Sequence, residues 1–415
     1  MQQVISTEKI PIKVWLDEAE PGAMDQIKHI ANLPFAFHHV AIMPDTHQGY
    51  GMPIGGILAT EGVVIPNAVG VDIGCGMCAV KTNITDITKD KVKAILGCIR
   101  ALVPVGFEHH KEKQDEMLMP RADTVSGLNN ATPDITRYPV IHNEYNSALK
   151  QLGTLGGGNH FIELQKGSDG FVWIMIHSGS RNLGKKVADH YNKLAVELNE
   201  QWHTSVPKSW ELAFLPLDSE EGVAYMREMQ YCVDFALANR KLMMERCKQA
   251  IREVIPLHPS ISNPGGLSTS DLRETSFDPM INIAHNYARL ENHFGKNVLV
   301  HRKGATSARQ GETGLIPGSM GSKSFVVVGK GNPESFTSCS HGAGRRLGRK
   351  DACRKLNLEE QKALMDAQGI IHGMRNQDDL EEAPGAYKPI EEVMAFQKDL
   401  VDIVVELSPL GVVKG

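Results

Sequence analysis

Five short segments set metal-competent or acidic side chains among glycines or at the ends of strand-like runs. They are MPDTHQGYGMPIGG (43–56), GVDIGCGMC (70–78), LGTLGGGNHF (152–161), IHSGSRNLG (176–184) and SCSHGAGR (338–345). Glycine lets backbone approach a ligand closely and aims successive N–H groups at phosphate oxygens, so the shared chemistry is cation and phosphate binding. In GVDIGCGMC, Asp72 and Cys75 lie three apart and Cys78 completes a C-x-x-C. There is no second C-x-x-C for a zinc ribbon, and the flanking glycines do not resemble the start of a redox helix. A thiolate and a carboxylate as joint ligands fit better, with Cys78 read as a small core residue.

Three histidines extend this set. His160 follows a triple glycine and Asn159, His177 directly follows the apolar run FVWIMI, and His285 falls in a helix that Asp278-Pro279 is expected to open. Singly, each would more often be a structural histidine. With Asp72 and Cys75 they form a plausible set for two ions if the thiolate bridges, although spacing alone does not name the metal. IHSGSRNLG followed by an amphipathic stretch from Lys186 reads as strand, glycine loop and helix, with Ser178, Ser180 and Arg181 available to an anion. Its spacing is neither a Walker A loop nor a dinucleotide fingerprint. IPGSMGSKSF (316–325) reads as a second backbone nest or simply a turn. In SCSHGAGRRLGRK, His341 stands on a glycine turn ahead of Arg345, Arg346, Arg349 and Lys350; taken alone, that is a loop histidine before a solvated basic helix face.

The elements that must position these residues come from periodicity. Apolar residues at three- and four-residue steps predict helices over about 186–200, 222–255, 355–367 and 389–406. Runs rich in β-branched and aromatic residues predict strands at GGILAT, FVWIMI, NVLVH and SFVVVG. Residues 105–147 show little periodicity and read as a long surface excursion. The glycine-rich motifs spread from 49 to 344 without a Pro/Ser-rich linker, which favours one domain whose site is assembled from distant segments.

The 415 residues are 41% hydrophobic, enough for a sizeable core. A net charge of −5 excludes the whole-surface positive field of a nonspecific nucleic-acid coat, so a polyanion site must be a local patch such as 345–355. No run of about 18 apolar residues exists, and MQQVISTEKIPIKVW lacks the features of a signal peptide, so a cytoplasmic location is expected. Seven scattered cysteines are not a disulfide framework.

With these motifs in place, the chain resembles the RtcB family of RNA ligases, tRNA-splicing and RNA-repair enzymes that use GTP and manganese. The resemblance rests on MPDTHQGYGMPIGG, GVDIGCG, LGTLGGGNHFIEL, IHSGSRNLG, AHN, HRKGATSAR, IPGSMGSKS, SCSHGAGR, EEAPGAYK and the terminal GVVKG, which cover most of the chain in the family's order. It implies an α+β fold, a single catalytic domain over 1–415 with a deep central metal and nucleotide cleft. It also implies two Mn²⁺ per chain, one held by Asp72, Cys75 and His160 and the other by Cys75, His177 and His285. His341 would be the nucleophile that becomes guanylylated, with Asp45 orienting its other ring nitrogen. Nucleotide contacts would fall to Asn159, His160, Phe161, Ile162, Glu163, His285, Asn286, Pro317, Gly318, Ser319, Met320, Ser324, His341, Gly342, Ala343, Gly344 and Lys414.

The implied substrate is RNA ending in a 3′-phosphate or 2′,3′-cyclic phosphate, joined to a 5′-hydroxyl end in tRNA splicing or RNA repair. Arg181 would face RNA or phosphate, and Arg345, Arg346 and Arg349 would attract the RNA backbone. The stretch PVGFEHHKEKQDE departs from the glycine-rich pattern of archaeal members. A two-metal cyclic phosphodiesterase and a noncatalytic RNA-end-binding protein are the competing readings; retention of His341, Lys414 and all the ligands weighs against both. A monomer is expected, with weak dimerisation and an activating protein partner left open.

Overall fold

The computed structural model describes residues 1–121, 138–259 and 272–415. Two sheets organise it. The first runs Gln3–Ile5, Ile12–Val14, Ala36–His47, Ile54–Thr60, Lys296–Lys303, Asn286–His293. The second runs Ile281–Ala284, Gly76–Lys81, Val172–Ser178, Phe161–Gly167, Val401–Lys414, Ser324–Gly329, Thr313–Ile316. All pairings within them are antiparallel except Ile12–Val14 against Val40–Ile42. Each sheet takes strands from both halves of the chain, and with the helices packed on them the arrangement is the mixed α+β one expected.

Strand periodicity of two decides what each face covers. In Gly76–Lys81, Cys78 and Val80 enter an apolar cluster with the Lys89–Leu102 helix, while Met77 and Ala79 face the cluster beneath the C-terminal helices. Met43 and Ile57 of the six-stranded sheet, with Trp15 just past the end of Ile12–Val14, meet Ile316, Phe325 and Val401 of the seven-stranded one in a third cluster. The long helix Glu220–Val254 starts where the Ser219 hydroxyl accepts from Gly222 N–H, with Glu220 and Glu221 favourably placed in its first turn. Its stripe Tyr225, Met229, Cys232, Phe235, Met243, Cys247 is buried. No described helix is long and apolar enough to cross a membrane.

Four expectations about elements are corrected. His285 is not helical; it lies between strands Ile281–Ala284 and Asn286–His293, where the chain passes from one sheet to the other. The predicted helix 389–406 is the short helix Ile390–Phe396 followed by strand Val401–Lys414, because β-branched residues in VDIVVEL pair with the neighbouring strands. The 355–367 helix starts later, at Leu358–Ala367, where the Asn357 side chain caps it, and Arg349–Lys355 is a separate helix ahead of it. Part of the supposed surface excursion is the helix Pro139–Gln151, whose Val140, Ile141, Ala148 and Leu149 are buried; residues 122–137 lie outside the described residues.

Candidate functional site

Four of the five proposed metal ligands are brought together by antiparallel alternation. Cys75 precedes Gly76–Lys81, His177 is near the end of Val172–Ser178, His160 precedes Phe161–Gly167, and His285 follows Ile281–Ala284. These four strands are adjacent and antiparallel, so starts and ends alternate along one edge and all four residues meet there. Cys75 Sγ stands 3.4 Å from His160 Nε2 and 3.3 Å from His177 Nε2. His177 Nε2 lies 3.3 Å from His285 Nε2, and the Asp72 carboxylate reaches His160 Nε2 at 3.1 Å. Cys75, His160 and His177 could hold a metal ion.

The arrangement fits a cation. His160 Nδ1 lies 3.0 Å from the Leu155 carbonyl and His177 Nδ1 lies 3.1 Å from that of Asn159, so each donates from Nδ1 and its Nε2 keeps a lone pair. Those lone pairs face sulfur and one another. Burial raises the Cys75 thiol well above its usual range, with Asp72 adding to the effect. Burial, with neighbouring imidazoles, holds His177 and His285 well below theirs. Burial works to raise Asp72, but a proton on His160 Nε2, present when no cation takes its place, and the charge of Arg181 hold it low. A cation among these donors removes the repulsion and favours the thiolate.

His341 follows strand Ser338–Ser340, which pairs with Ala305–Ser307 directly after the Lys296–Lys303 strand. That route carries it to Asp45 near the end of Ala36–His47. His341 Nδ1 donates to Asp45 Oδ2 at 2.6 Å, and the same oxygen accepts the His341 backbone N–H at 3.0 Å. Asp45 is wholly buried. Gly344, at φ +72°, allows the turn: a Cβ there would meet the Asp45 carbonyl oxygen at 2.2 Å. The His341 and His285 rings are 4.8 Å apart, so the imidazole adjoins the donor cluster.

A cleft of about 850 Å³ runs past both groups. Of the expected nucleotide contacts, Asn159, Phe161, Glu163, His285, Asn286, Pro317, Gly318, Ser319, Met320, His341 to Gly344 and Lys414 line it. Ile162 is corrected: strand alternation turns its side chain into the core behind the sheet. Ser324 sits behind the wall, bonded to Gln165 Nε2 and Gly318 N–H, each at 3.2 Å. Strand pairing sets Lys414 beside Phe161, and burial pushes the Glu163 carboxyl up to about 7 against the pull of Gln165 and Lys414.

The basic cluster is not a uniformly solvated face. All three line the cleft, but Arg345 turns its guanidinium to the buried Glu382 at 3.0 Å and over the Tyr387 ring, whereas Arg346 and Arg349 are exposed, Arg349 reaching Glu382 only at 3.6 Å. In IHSGSRNLG the helix start and the part given to the two serine hydroxyls are corrected. Its helix begins at Arg181, not Lys186, and the Ser178 and Ser180 hydroxyls donate to the Leu155 and Ile73 carbonyls. Arg181 itself reaches Thr154 Oγ1 and the Gly106 carbonyl.

Sequence reasoning missed the supports. The fully buried Arg240 donates to the Gly74 and Ser178 carbonyls, bracing the strand ends that carry Cys75 and His177. Asn239 accepts from Gly153 and Thr154 N–H and donates to the Gly179 carbonyl. Polar residues inside the otherwise apolar stripe of a long helix were the available signal. Lys303 was missed too; it is buried against the Tyr50 and Asn67 carbonyls, and burial pushes its amine down to about 7.

A thiolate, imidazole and carboxylate cluster beside a carboxylate-held histidine, both on one cleft, makes a candidate site for metal-assisted phosphoryl transfer. The chain belongs to the RtcB family: the family profile described as tRNA-splicing ligase RtcB matches residues 26–415. It is 37% identical to the RNA-splicing ligase RtcB of Escherichia coli K12, covering 100% of this chain and 99% of that one. It is 31% identical to the tRNA-splicing ligase RtcB of Thermococcus kodakarensis over 98% of this chain and 95% of that one. The RNA-splicing ligase RtcB of Mycobacterium bovis is also 31% identical, over 94% of this chain and 100% of its own.

Proposed function

We propose that the protein is an RNA ligase that joins RNA 3′-phosphate or 2′,3′-cyclic phosphate ends to 5′-hydroxyl ends through a covalent histidine–GMP intermediate. The reading is supported by the family, by its relatives' names and above all by one contact, the 2.6 Å bond from His341 Nδ1 to Asp45 Oδ2. With its proton held on Nδ1 by a buried carboxylate, His341 keeps a lone pair on Nε2, the nitrogen left for the cleft. That lone pair attacks the α-phosphorus of GTP, a P–N bond forms and pyrophosphate leaves. Asp45 holds the imidazole and stabilises the positive charge it gains.

An oxygen of the RNA 3′-phosphate then attacks the same phosphorus, GMP moves to the RNA end, and the imidazole is restored. The RNA 5′-hydroxyl attacks the 3′-phosphate phosphorus and GMP departs, leaving a 3′,5′-phosphodiester. A cyclic phosphate is first opened by water. Asp72, Cys75, His160, His177 and His285 are the residues that would hold two Mn²⁺ ions, which when bound would offset phosphate charge and polarise phosphoryl oxygens. Glu163, Phe161, Lys414 and the Pro317–Met320 turn would hold the guanosine, and the exposed Arg346 and Arg349 would meet the RNA backbone.

The test is incubation with α-labelled GTP and Mn²⁺. One GMP per chain should attach through a bond stable to base and labile to acid. His341→Ala should abolish labelling while keeping its bound metal, and Asp45→Asn should slow labelling on the order of 10²-fold or more. Labelling of His341→Ala at the wild-type rate would refute the nucleophile assignment. Opening of cyclic phosphates with no label and no GTP requirement would mark a hydrolase instead.

A further inference from the structure

The loop after the Ala36–His47 strand presents an aromatic ring that no step above uses. Tyr50 is 69% exposed yet lines the cleft. Among the described residues its ring pairs with no other aromatic ring and carries no cation. A single exposed aromatic residue is ordinary on a protein surface. Here the backbone around it is tightly fixed. The buried Lys303 donates to the Tyr50 carbonyl at 2.5 Å and to the Asn67 carbonyl at 2.9 Å. Gln26 bonds both the N–H and the carbonyl of Gly49, at 3.0 and 2.6 Å. Gly51, at φ +65°, donates to Glu211 Oε2 at 3.2 Å. A buried lysine and a two-point amide clamp thus fix the backbone that presents this exposed phenol ring.

The same lysine ties this loop to the chemistry. Lys303 precedes Gly304, and a Cβ on Gly304 would lie 3.2 Å from His341 Cε1. Phe161, Glu163 and Lys414, the groups proposed for the guanosine, stand at or in strands of the seven-stranded sheet, whereas Tyr50 lies in a loop of the six-stranded one. A flat π surface on a different sheet from these groups, its backbone tied through Lys303 to the neighbour of the nucleophile, suits a second base.

We propose that Tyr50 is the stacking platform for the base of the RNA nucleotide that carries the 3′-phosphate. The inference rests on the RNA-ligase reading. Stacking on a ring recognises any base, so it positions a single-stranded end without selecting its sequence.

The experiment measures binding of single-stranded RNA 3′-phosphates, one intact, one abasic at the last nucleotide, and one with 2-aminopurine there. Tyr50→Ala and Tyr50→Leu should weaken binding of the intact strand roughly 5- to 150-fold, and Tyr50→Phe should retain it. The abasic strand should lose the same factor on the wild-type protein and bind wild type and Tyr50→Ala alike. The 2-aminopurine should be quenched by wild type and Tyr50→Phe only. Equal weakening of intact and abasic strands by Tyr50→Ala, or full binding by Tyr50→Leu, overturns the proposal, since either means shape rather than stacking. Should the alanine variant fail to fold, wild-type protein with the abasic and 2-aminopurine strands still decides. Wild-type protein that binds none of these strands removes the parent reading and this one together; normal wild-type binding with an unchanged Tyr50→Ala removes this one alone.

Discussion

At the scale of single residues, the site works by fixing where protons sit. Backbone carbonyls take the Nδ1 protons of His160 and His177, and Asp45 takes that of His341, so each ring turns its basic nitrogen inward. Glu163 shows the same control in a carboxyl group. Its folded value of about 7 lies above the ordinary 4.5, so between those values the folded protein holds the extra proton. Its contribution to stability is therefore full below about pH 4.5 and is lost as pH rises through about 7. Nucleotide binding should run the opposite way, because guanine N–H groups need an acceptor. Affinity for a nonhydrolysable GTP analogue should rise about tenfold per unit up to pH about 7 and then level off. Calorimetric titration checks this, and Glu163→Gln should flatten the profile. The arginines divide similarly. Arg346→Ala with Arg349→Ala should reduce the salt slope of RNA binding by roughly 0.7 for each phosphate that is no longer neutralised. Arg345→Ala should instead destabilise the fold by about 1.5–3 kcal/mol, seen in the urea midpoint, because Glu382 loses its closest cation and keeps only Arg349 and Lys414 at 3.6 Å.

At the scale of elements, the helix Glu220–Val254 is a buttress for the loops. Its Asn239 satisfies two N–H groups of the turn at Gly153 and Thr154, and that turn leads into the triple glycine ahead of His160. Asn239→Ala takes the acceptor from the buried Gly153 N–H and leaves the Thr154 N–H with the Gln151 carbonyl alone, and should cost about 1–3 kcal/mol in chemical denaturation. Manganese affinity should fall with it, since His160 loses its fixed position. A variant with lowered stability and unchanged metal affinity would make the helix a general support only.

At the scale of the molecule, the donor cluster lies at the junction of the two sheets, because His285 is the residue at which the chain crosses between them. A metal held there would therefore tie the sheets together. Manganese at about 100 times its dissociation constant should add about 2.7 kcal/mol to global stability, visible as a rise in Tm that EDTA reverses. Cys75→Ala should abolish the rise. Cys78→Ala should keep it while losing about 1–2 kcal/mol of stability, since its sulfur sits in the core. An equal loss of the rise in both variants would point to a C-x-x-C site.

The local pattern of the sequence determined the motifs, the donor types, the runs of periodic helix and strand, and the family they resemble, because glycine turns and side-chain chemistry are written in adjacent residues. It misjudged His285 and the 389–406 segment, where sheet pairing overrides a helical pattern, and Ile162, where strand alternation hides one residue of a contact motif. Tertiary structure alone decided that four strand ends share one edge, that Arg345 is spent on Glu382 while Arg346 and Arg349 stay exposed, and that Lys303, Asn239 and Arg240 hold the loops. Those facts depend on which distant segments meet, and burial and hydrogen bonding between segments far apart in the chain leave no signal in local spacing.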